Sequence, residues 1–324
     1  MVGDTCTKQK YKILYIKYYI YYDLIYLPME NNPAIGFIGF GEAGFNIAKG
    51  LRGAGLVRLF AYDINTRTPN LGERIRNRAS ESETSLLDSS EELAQASGVL
   101  LSTVTADAAA VAAEQTAPYL TGRHLYADFN SVSPALKQSI AIIITSRGAR
   151  FIEGAIVSAV KPQGHRVPIL LGGLDASALI DVLAPYGMRF EVVSDQIGAA
   201  SAIKMCRSIV VKGLEALLFE CVLGASKYGA DQRVLASLSE SIPGIDWEKV
   251  ADYMIGRVLE HGERRAREMD EVAETLRAIG VEPMMAEATA RRQEWGARLN
   301  LLKLLEGNTP DGYLDLLKAF AVDK

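Results

Sequence analysis

Residues 34–63, AIGFIGFGEAGFNIAKGLRGAGLVRLFAYD, constrain the fold more than any other stretch of the chain. An apolar run from Ala34 to Ile38 leads into Gly39, Gly41 and Gly44. A helical pattern continues through Ile47, Ala48 and Leu51, and a second apolar run, Leu59 to Tyr62, ends on Asp63. The order is strand, glycine turn, helix, strand, acid. Gly39 permits a tight turn off the strand, Gly41 lets backbone approach a pyrophosphate, and Gly44 lets the helix lie close to the strand. The helix N-terminus offers unpaired N–H groups and a positive dipole end to phosphates. The segment Gly39-Phe40-Gly41-Glu42-Ala43-Gly44 is therefore the candidate cofactor cradle. Asp63, about 20 residues further on, is the candidate partner of an adenosine ribose. Its carboxylate repels a 2′-phosphate, so the cofactor is NAD(P) with NAD preferred. Arg67, in the polar segment 64–78, softens that preference if it reaches the same phosphate. A glycine-rich turn that binds nothing is the plainer alternative; the flanking strands and the acid argue against it.

Strands continue to alternate with helices. Gly98–Leu101 ends in Ser102-Thr103-Val104-Thr105, and Leu125–Ala127 ends in Asp128-Phe129-Asn130-Ser131. Ser89 and Ser133-Pro134 open helices. Phe151–Val157 precedes a polar loop, Ser158 to Gly164, and Pro168–Leu171 and Phe190–Val193 flank a helix at Ala176–Leu183. The alternation implies a doubly wound, mostly parallel α/β sheet of the Rossmann kind. Ligands of such sheets lie beyond the carboxyl ends of the strands, which selects Val104, Thr105, Asn130 and Ser131 as cofactor neighbours. After Ile197 the pattern is helical throughout: Gly198 to about Tyr228, Val234–Leu238, Trp247–Val258, Glu263–Ile279, Pro283–Trp295 and Tyr313–Phe320. The expected organisation is an extension at 1–30, a dinucleotide-binding domain at 31–196 and an all-α domain at 197–324.

The 324 residues suit two domains, and 49% hydrophobic with 23% charged residues is ordinary for a globular protein. A net charge of -4 supplies no basic field for nucleic acid. Cys6, Cys206 and Cys221 are too few and too scattered for a disulfide framework or zinc site, so no metal is expected and a reducing cytoplasm is the simplest compartment. The first 30 residues are rich in Tyr, Ile and Lys. Lys17 and Asp23 interrupt the apolar run, so no membrane span is expected, and no signal-peptide pattern is present. This stretch reads as an extension outside the fold, with Met29 the natural beginning, rather than as a partner-binding arm.

Hydride transfer to a carbonyl leaves an alkoxide that must be protonated, and the reverse reaction needs a base. His124, His165 and His261 follow no motif. Lys204, early in the first helix of the second domain within GAASAIKMCRS, has apolar neighbours whose partial desolvation lowers a lysine pKa toward neutrality. On composition alone, a structural lysine with its head in water is the simpler reading.

Four segments together resemble the β-hydroxyacid dehydrogenase family, which includes 3-hydroxyisobutyrate and 6-phosphogluconate dehydrogenases. GFIGFGEAG (Gly36–Gly44) is similar to its glycine signature and DFNSVSP (Asp128–Pro134) to its D-x-S-T-x-x-P segment. EGAIVSAV (Glu153–Val160) resembles its substrate loop and GAASAIKMCRS (Gly198–Ser208) its lysine segment. The C-terminal helices are most similar to a phosphogluconate-dehydrogenase-like branch whose substrates are mostly unassigned. The resemblance implies Lys204 as catalytic acid/base, Ser158 as a substrate-binding residue, and Asn130 and Ser131 near the nicotinamide ribose and substrate. It implies a small carboxylate or hydroxy-acid substrate and a homodimer through the helical domain. Where the family has paired glycines and paired asparagines, this chain has Ala159-Val160 and Arg207-Ser208. Ser208 can hydrogen-bond a substrate hydroxyl and Arg207 can meet an acidic substrate, so substrate choice is where the chain departs from the pattern. His261, Arg264 and Arg265 sit at steps that share a helix face and suggest anion binding across a dimer, or else a solvated face. Two other readings stand beside dehydrogenation: an imine reductase-like activity, whose proton relay often differs from lysine, and a non-catalytic dinucleotide-binding module.

Overall fold

The computed structural model describes residues 32–300 and 312–322, so the expected N-terminal extension, with Met29, lies outside the described residues. Eight strands form one sheet among them: β1 (Ile35–Ile38), β2 (Leu59–Tyr62), β3 (Ser85–Leu86), β4 (Val99–Ser102), β5 (Leu125–Asp128), β6 (Arg150–Ile156), β7 (Pro168–Gly172) and β8 (Arg189–Ser194). Their spatial order is β3-β2-β1-β4-β5-β6-β7-β8. Neighbours run parallel from β3 to β6, β7 runs antiparallel to β6, and β8 is parallel to β7. Helices α1 (Glu42–Gly53), α2 (Leu71–Glu81), α3 (Ser90–Ala96), α4 (Ala109–Thr116), α5 (Pro134–Thr145) and α6 (Ala176–Leu183) connect the strands. Then come α7 (Ala199–Ser226), α8 (Asp231–Ser241), α9 (Trp247–Ala278), α10 (Met284–Arg298) and α11 (Tyr313–Val322). This is the expected class: a mostly parallel, doubly wound α/β sheet followed by helices.

Every residue of β1, β4 and β5 is buried, as strands covered by helices on both faces require. Ile35 and Phe37 join the core that α1 and α6 close with Ile47, Leu51 and Leu179. Ile38, Leu100 and Tyr126 join the opposite core with Leu93 and Ile140. The strand order reverses between β1 and β4, so a crevice opens beyond their carboxyl ends, where the glycine turn and the loop from Thr103 lie.

The polar segment 64–78, whose arginines suit a solvated loop and helix face, contains most of α2, whose buried face consists only of Gly72, Ile75 and Ala79. One element differs from the sequence reading. The separate helices expected at Trp247–Val258 and Glu263–Ile279 are one continuous helix, α9. Gly262 is a contact point there. A Cβ on it would lie 2.5 Å from the Gln293 carbonyl oxygen and 2.9 Å from the Ala297 Cβ. Gly296 on α10 is equally constrained, 2.5 Å from Val258 Cγ1. Small residues on both helices let α9 and α10 cross closely. No helix among the described residues is long and apolar enough to cross a membrane.

The two glycines of α9 should respond oppositely to substitution. Gly262→Val should lose about 1–3 kcal/mol in urea unfolding through overpacking. Gly256→Ala, where a Cβ meets nothing within 4 Å, should gain about 0.5–1 kcal/mol. A fully stable Gly262→Val would show that the crossing tolerates a wider spacing.

Candidate active site

The glycine turn is held from both sides. Gly39 has φ +80°, and a Cβ on it would sit 2.6 Å from Val104 Cγ1. A Cβ on Gly44 would lie 2.7 Å from Thr103 Oγ1 and 2.9 Å from the Gly39 carbonyl oxygen, and Thr103 Oγ1 donates to that carbonyl at 2.8 Å. Gly41 differs: a Cβ there meets nothing within 4 Å. It is also the N-cap of α1, with no side chain capping the helix. The first N–H groups of α1 thus face open space across a glycine, an arrangement that fits a pyrophosphate.

Asp63 ties the end of β2 to this turn. Its Oδ2 accepts from the Phe40 N–H at 2.8 Å and its Oδ1 from the Asn65 N–H at 2.9 Å. A carboxylate has about four lone-pair sites, so two bonds leave capacity for ribose hydroxyls. A cavity of about 480 Å³ runs past Gly39, Gly41, Glu42, Asp63, Val104 and Thr105. Phe40 and Ala43 do not line it; the Phe40 ring is in the core and its N–H is spent on Asp63. Arg67 pairs instead with Asp88 on the surface, at 3.1 Å. Arg74 and Arg78, read from sequence as members of a solvated segment, line the cavity beside Asp63. Their spacing of four around Ile75, the buried position of α2, was the available signal.

Within β5 and β6 lies a buried polar cluster whose pairing the sequence reading did not give. Asp128 and Glu153 are register partners on adjacent strands, and both are fully buried. Lys137 of α5, equally buried, donates to Asp128 Oδ1 at 2.5 Å, to the Asp128 carbonyl at 2.6 Å and to the Gly154 carbonyl at 3.3 Å. Asp128 in turn holds Asn130, accepting from its backbone N–H at 2.9 Å and its Nδ2 at 3.2 Å. Nδ2 also donates to Ser102 Oγ at 2.9 Å, so the donors of Asn130 are used and its Oδ1 remains without a partner. Ser131, the next residue, is half-buried. Glu153 accepts from the Gly198 N–H at 2.6 Å and the Ser201 N–H at 2.7 Å, which fixes the start of α7 to the sheet. A lone carboxylate inside the apolar strand Phe151–Ile156 was the signal, because a buried acid needs a partner.

Lys204 lies one turn beyond Ser201 and is half-buried. Its pKa falls to about 8, chiefly because burial desolvates the ammonium. Lys137, Lys212 and Arg264 push in the same direction and Glu268 opposes them. The desolvation comes from tertiary neighbours, since Ile203 and Cys206 beside it in sequence are exposed. Glu268 of α9 bonds Lys212 at 2.6 Å and also pairs with Arg264. Nearby Glu271 is pushed up to about 7 by burial, Glu268 and Glu274, against the pull of Lys212 and Lys204. Ser158 is exposed in the loop after β6, its Oγ accepting from Gln163 Nε2 at 3.1 Å. Arg207 reaches the neighbouring Val157 carbonyl at 3.5 Å, so the two meet on one side of α7. Ser208 is half-buried on the same turn of helix.

The other basic cluster, on α9, is paired with carboxylates. Arg265 is buried and donates to both oxygens of Glu215, at 2.8 and 2.7 Å, Arg264 bonds Glu268, and His261 lies 3.5 Å from Glu260. Arg265 thus joins α7 to α9, while Arg264 remains exposed. His124 and His165 are buried among structural partners. His124 bonds Thr121 and the Ala94 carbonyl, and His165 packs so closely on α1 that a Cβ at Gly50 would overlap its ring. Among the described residues no group of three His, Cys, Asp or Glu could hold a metal ion.

A glycine cradle at the switch point of a Rossmann sheet, an acid at the end of β2 and a helical C-terminal region define a dinucleotide-binding protein. Residues 34–184 match the model of the NAD binding domain of 6-phosphogluconate dehydrogenase, and residues 225–296 match a domain of unknown function, DUF1932. A conserved hypothetical protein of Sinorhizobium meliloti 1021 is 38% identical, with 89% of this chain and 96% of that one covered and a TM-score of 0.74. The conserved protein MTH1747, of unknown function and structurally similar to 3-hydroxyacid dehydrogenases, is 31% identical, with 82% and 98% covered and a TM-score of 0.69. Mitochondrial 3-hydroxyisobutyrate dehydrogenase of Drosophila melanogaster is 27% identical over 218 residues, 66% of this chain and 64% of that protein. The chain belongs to the β-hydroxyacid dehydrogenase family, and its N-terminal part is a nicotinamide-dinucleotide-binding domain.

Gly41→Ala tests the cradle, because the fold leaves room for the methyl group and a pyrophosphate does not. The variant should melt like the wild type and bind dinucleotide at least about tenfold more weakly in a fluorescence titration. Unchanged affinity would place the phosphates elsewhere.

Proposed function

We propose that this protein is an NAD-dependent oxidoreductase acting on the CH–OH group of a small hydroxy acid or related carboxylate. It works in the cytoplasm as a homodimer joined through its helical region. The observation that carries the reading is Lys204: a half-buried ammonium near the buried Lys137 that binds Asp128, with its pKa drawn down to about 8. A bound nicotinamide supplies the hydride acceptor or donor. Lys204 Nζ takes the hydroxyl proton when the substrate is oxidised and returns it when the carbonyl is reduced. Ser158, Arg207 and Ser208 hold the substrate, with Arg207 meeting its carboxylate, and Asn130 and Ser131 border the nicotinamide ribose. Retention of the lysine favours this reading over an imine reductase-like activity and over a non-catalytic binding module. The half-buried or exposed thiols Cys206 and Cys221 are free, which suits a reducing compartment.

Turnover of NAD with a panel of small hydroxy acids tests the proposal. Lys204→Ala should retain cofactor affinity and lose about 10²–10⁴-fold in kcat on the best substrate; full activity in that variant would refute the lysine mechanism.

Cofactor choice is separable. Asp63→Ala removes the carboxylate that repels a 2′-phosphate, so it should weaken NAD binding and narrow the gap to NADP, with Arg74 and Arg78 still beside the site. Titrations in which the wild type already prefers NADP would contradict the role given to Asp63.

A further inference from the structure

We propose that Glu153 is a positioning residue for Lys204: its carboxylate caps α7 from the sheet and thereby sets where the lysine head lies. This rests on the reading of Lys204 as the proton relay. The observation is that Glu153, in the middle of β6 and fully buried, spends its oxygens on the N–H groups of Gly198 and Ser201. Those are the N-cap and N3 positions of α7. A cap at these positions normally comes from a Ser, Thr, Asp or Asn side chain at the N-cap itself. Here the N-cap is Gly198, at φ +107° with no side chain to offer, and the cap arrives from the neighbouring strand.

The surroundings are shaped for that carboxylate. Its register partner Gly172 on β7 has room for no side chain, since a Cβ there would lie 2.7 Å from Glu153 Oε2. The partner on the other side, Asp128, is bound by Lys137, so the two acids do not stand as a bare like-charge pair. The positive end of the α7 dipole faces Glu153. Burying a carboxylate inside a sheet is costly, and an apolar residue would fill the same strand position more cheaply. What the carboxylate adds is a fixed rotation and height for the first turn of α7.

Lys204 is the residue that senses this. It stands three positions after Ser201, on the same helix face, and a long helical side chain leans back over the turn preceding it. The turn beneath the lysine stem is the one Glu153 holds. Loss of the cap lets that turn fray or rotate and carries the ammonium out of its desolvated position. The charges that face Lys204 are Glu268, Arg264 and Glu271 on α9, Lys137 on α5 and Lys212 on α7. Loss of a carboxylate charge by itself would lower the ammonium pKa further, so a rise on removing Glu153 reports a change of position.

The test uses the full chain with no substrate: the pH dependence of reductive methylation of Lys204, followed by peptide mass spectrometry, in wild type, Glu153→Gln and Glu153→Asp. Glu153→Gln keeps the shape and loses one of two acceptors. It should move the Lys204 pKa from about 8 toward the ordinary lysine value, while dinucleotide affinity stays within about twofold because the glycine turn is untouched. With the best hydroxy acid its kcat should fall by about 10²-fold, as a misplacement on the order of 1 Å produces, with its pH limb displaced equally and KM little changed. Glu153→Asp, which keeps both acceptors on a shorter stem, should fall between; it carries the test alone if the Gln variant does not fold. A folded variant whose Lys204 titrates as in the wild type overturns the proposal. If the labelling shift appears but no hydroxy acid is oxidised by any form, the positioning stands and the dehydrogenase reading fails.

Discussion

Two carboxylates buried side by side at the heart of the sheet govern how the rest of the molecule is arranged. Asp128 and Glu153 face each other across β5 and β6, and each is satisfied by a different element. Lys137 of α5 binds Asp128 and locks the turn that carries Asn130. The first turn of α7 binds Glu153 and brings Lys204 over the same edge. Removing one partner of a buried ion pair costs about 3–5 kcal/mol, so these contacts fix geometry as well as stability. The loop after β5 and the helix after β8 are far apart in sequence, and this paired burial makes them one locality.

The helical region has its own polar interior. Glu215 of α7 is held by Arg265 of α9 and Gln293 of α10, and Lys212 by Glu268. These contacts align α7 against α9 along the stretch that follows Lys204. α7 is thus anchored at one end by the sheet and along its side by the helices. Lys204 draws its lowered pKa from that crowding: a desolvated ammonium with three other cations nearby and one carboxylate against them.

The sequence made the fold class legible because the strongest signals are local: buried strands, a glycine turn, and serine caps such as Ser89, which accepts from the Glu92 N–H as its position predicts. β3, two residues long, carries no readable period. α2 has no readable bounds because only three of its residues are buried, and α9 looks divided because a glycine in sequence does not reveal whether it ends a helix or lets another approach. In the candidate site, the cradle and Asp63 could be read from spacing. Lys204 needed the family resemblance, and its electrostatics depend on Glu268 and Lys137, contacts that only the tertiary fold creates. Glu153, Lys137, Arg74 and Arg78 were missed because their roles are set by partners 9 to 48 residues away or by the cavity they line. Arg265 was misread for the same reason: helix spacing alone does not show which face meets Glu215.

The cofactor cleft is built by β1, β2 and β4, and Lys204 stands on the helix that β6 caps; the proposed reaction needs both. Its most direct test is the pH dependence of single-turnover hydride transfer from the best hydroxy acid to NAD in the wild-type protein. If the neutral amine of Lys204 is the base, as proposed, the rate should rise with pH through one step near 8 and level off above it, and reduction in the opposite direction should fall through the same step. A rate that is flat across that step in both directions would contradict the assignment of Lys204 as the group that moves the proton.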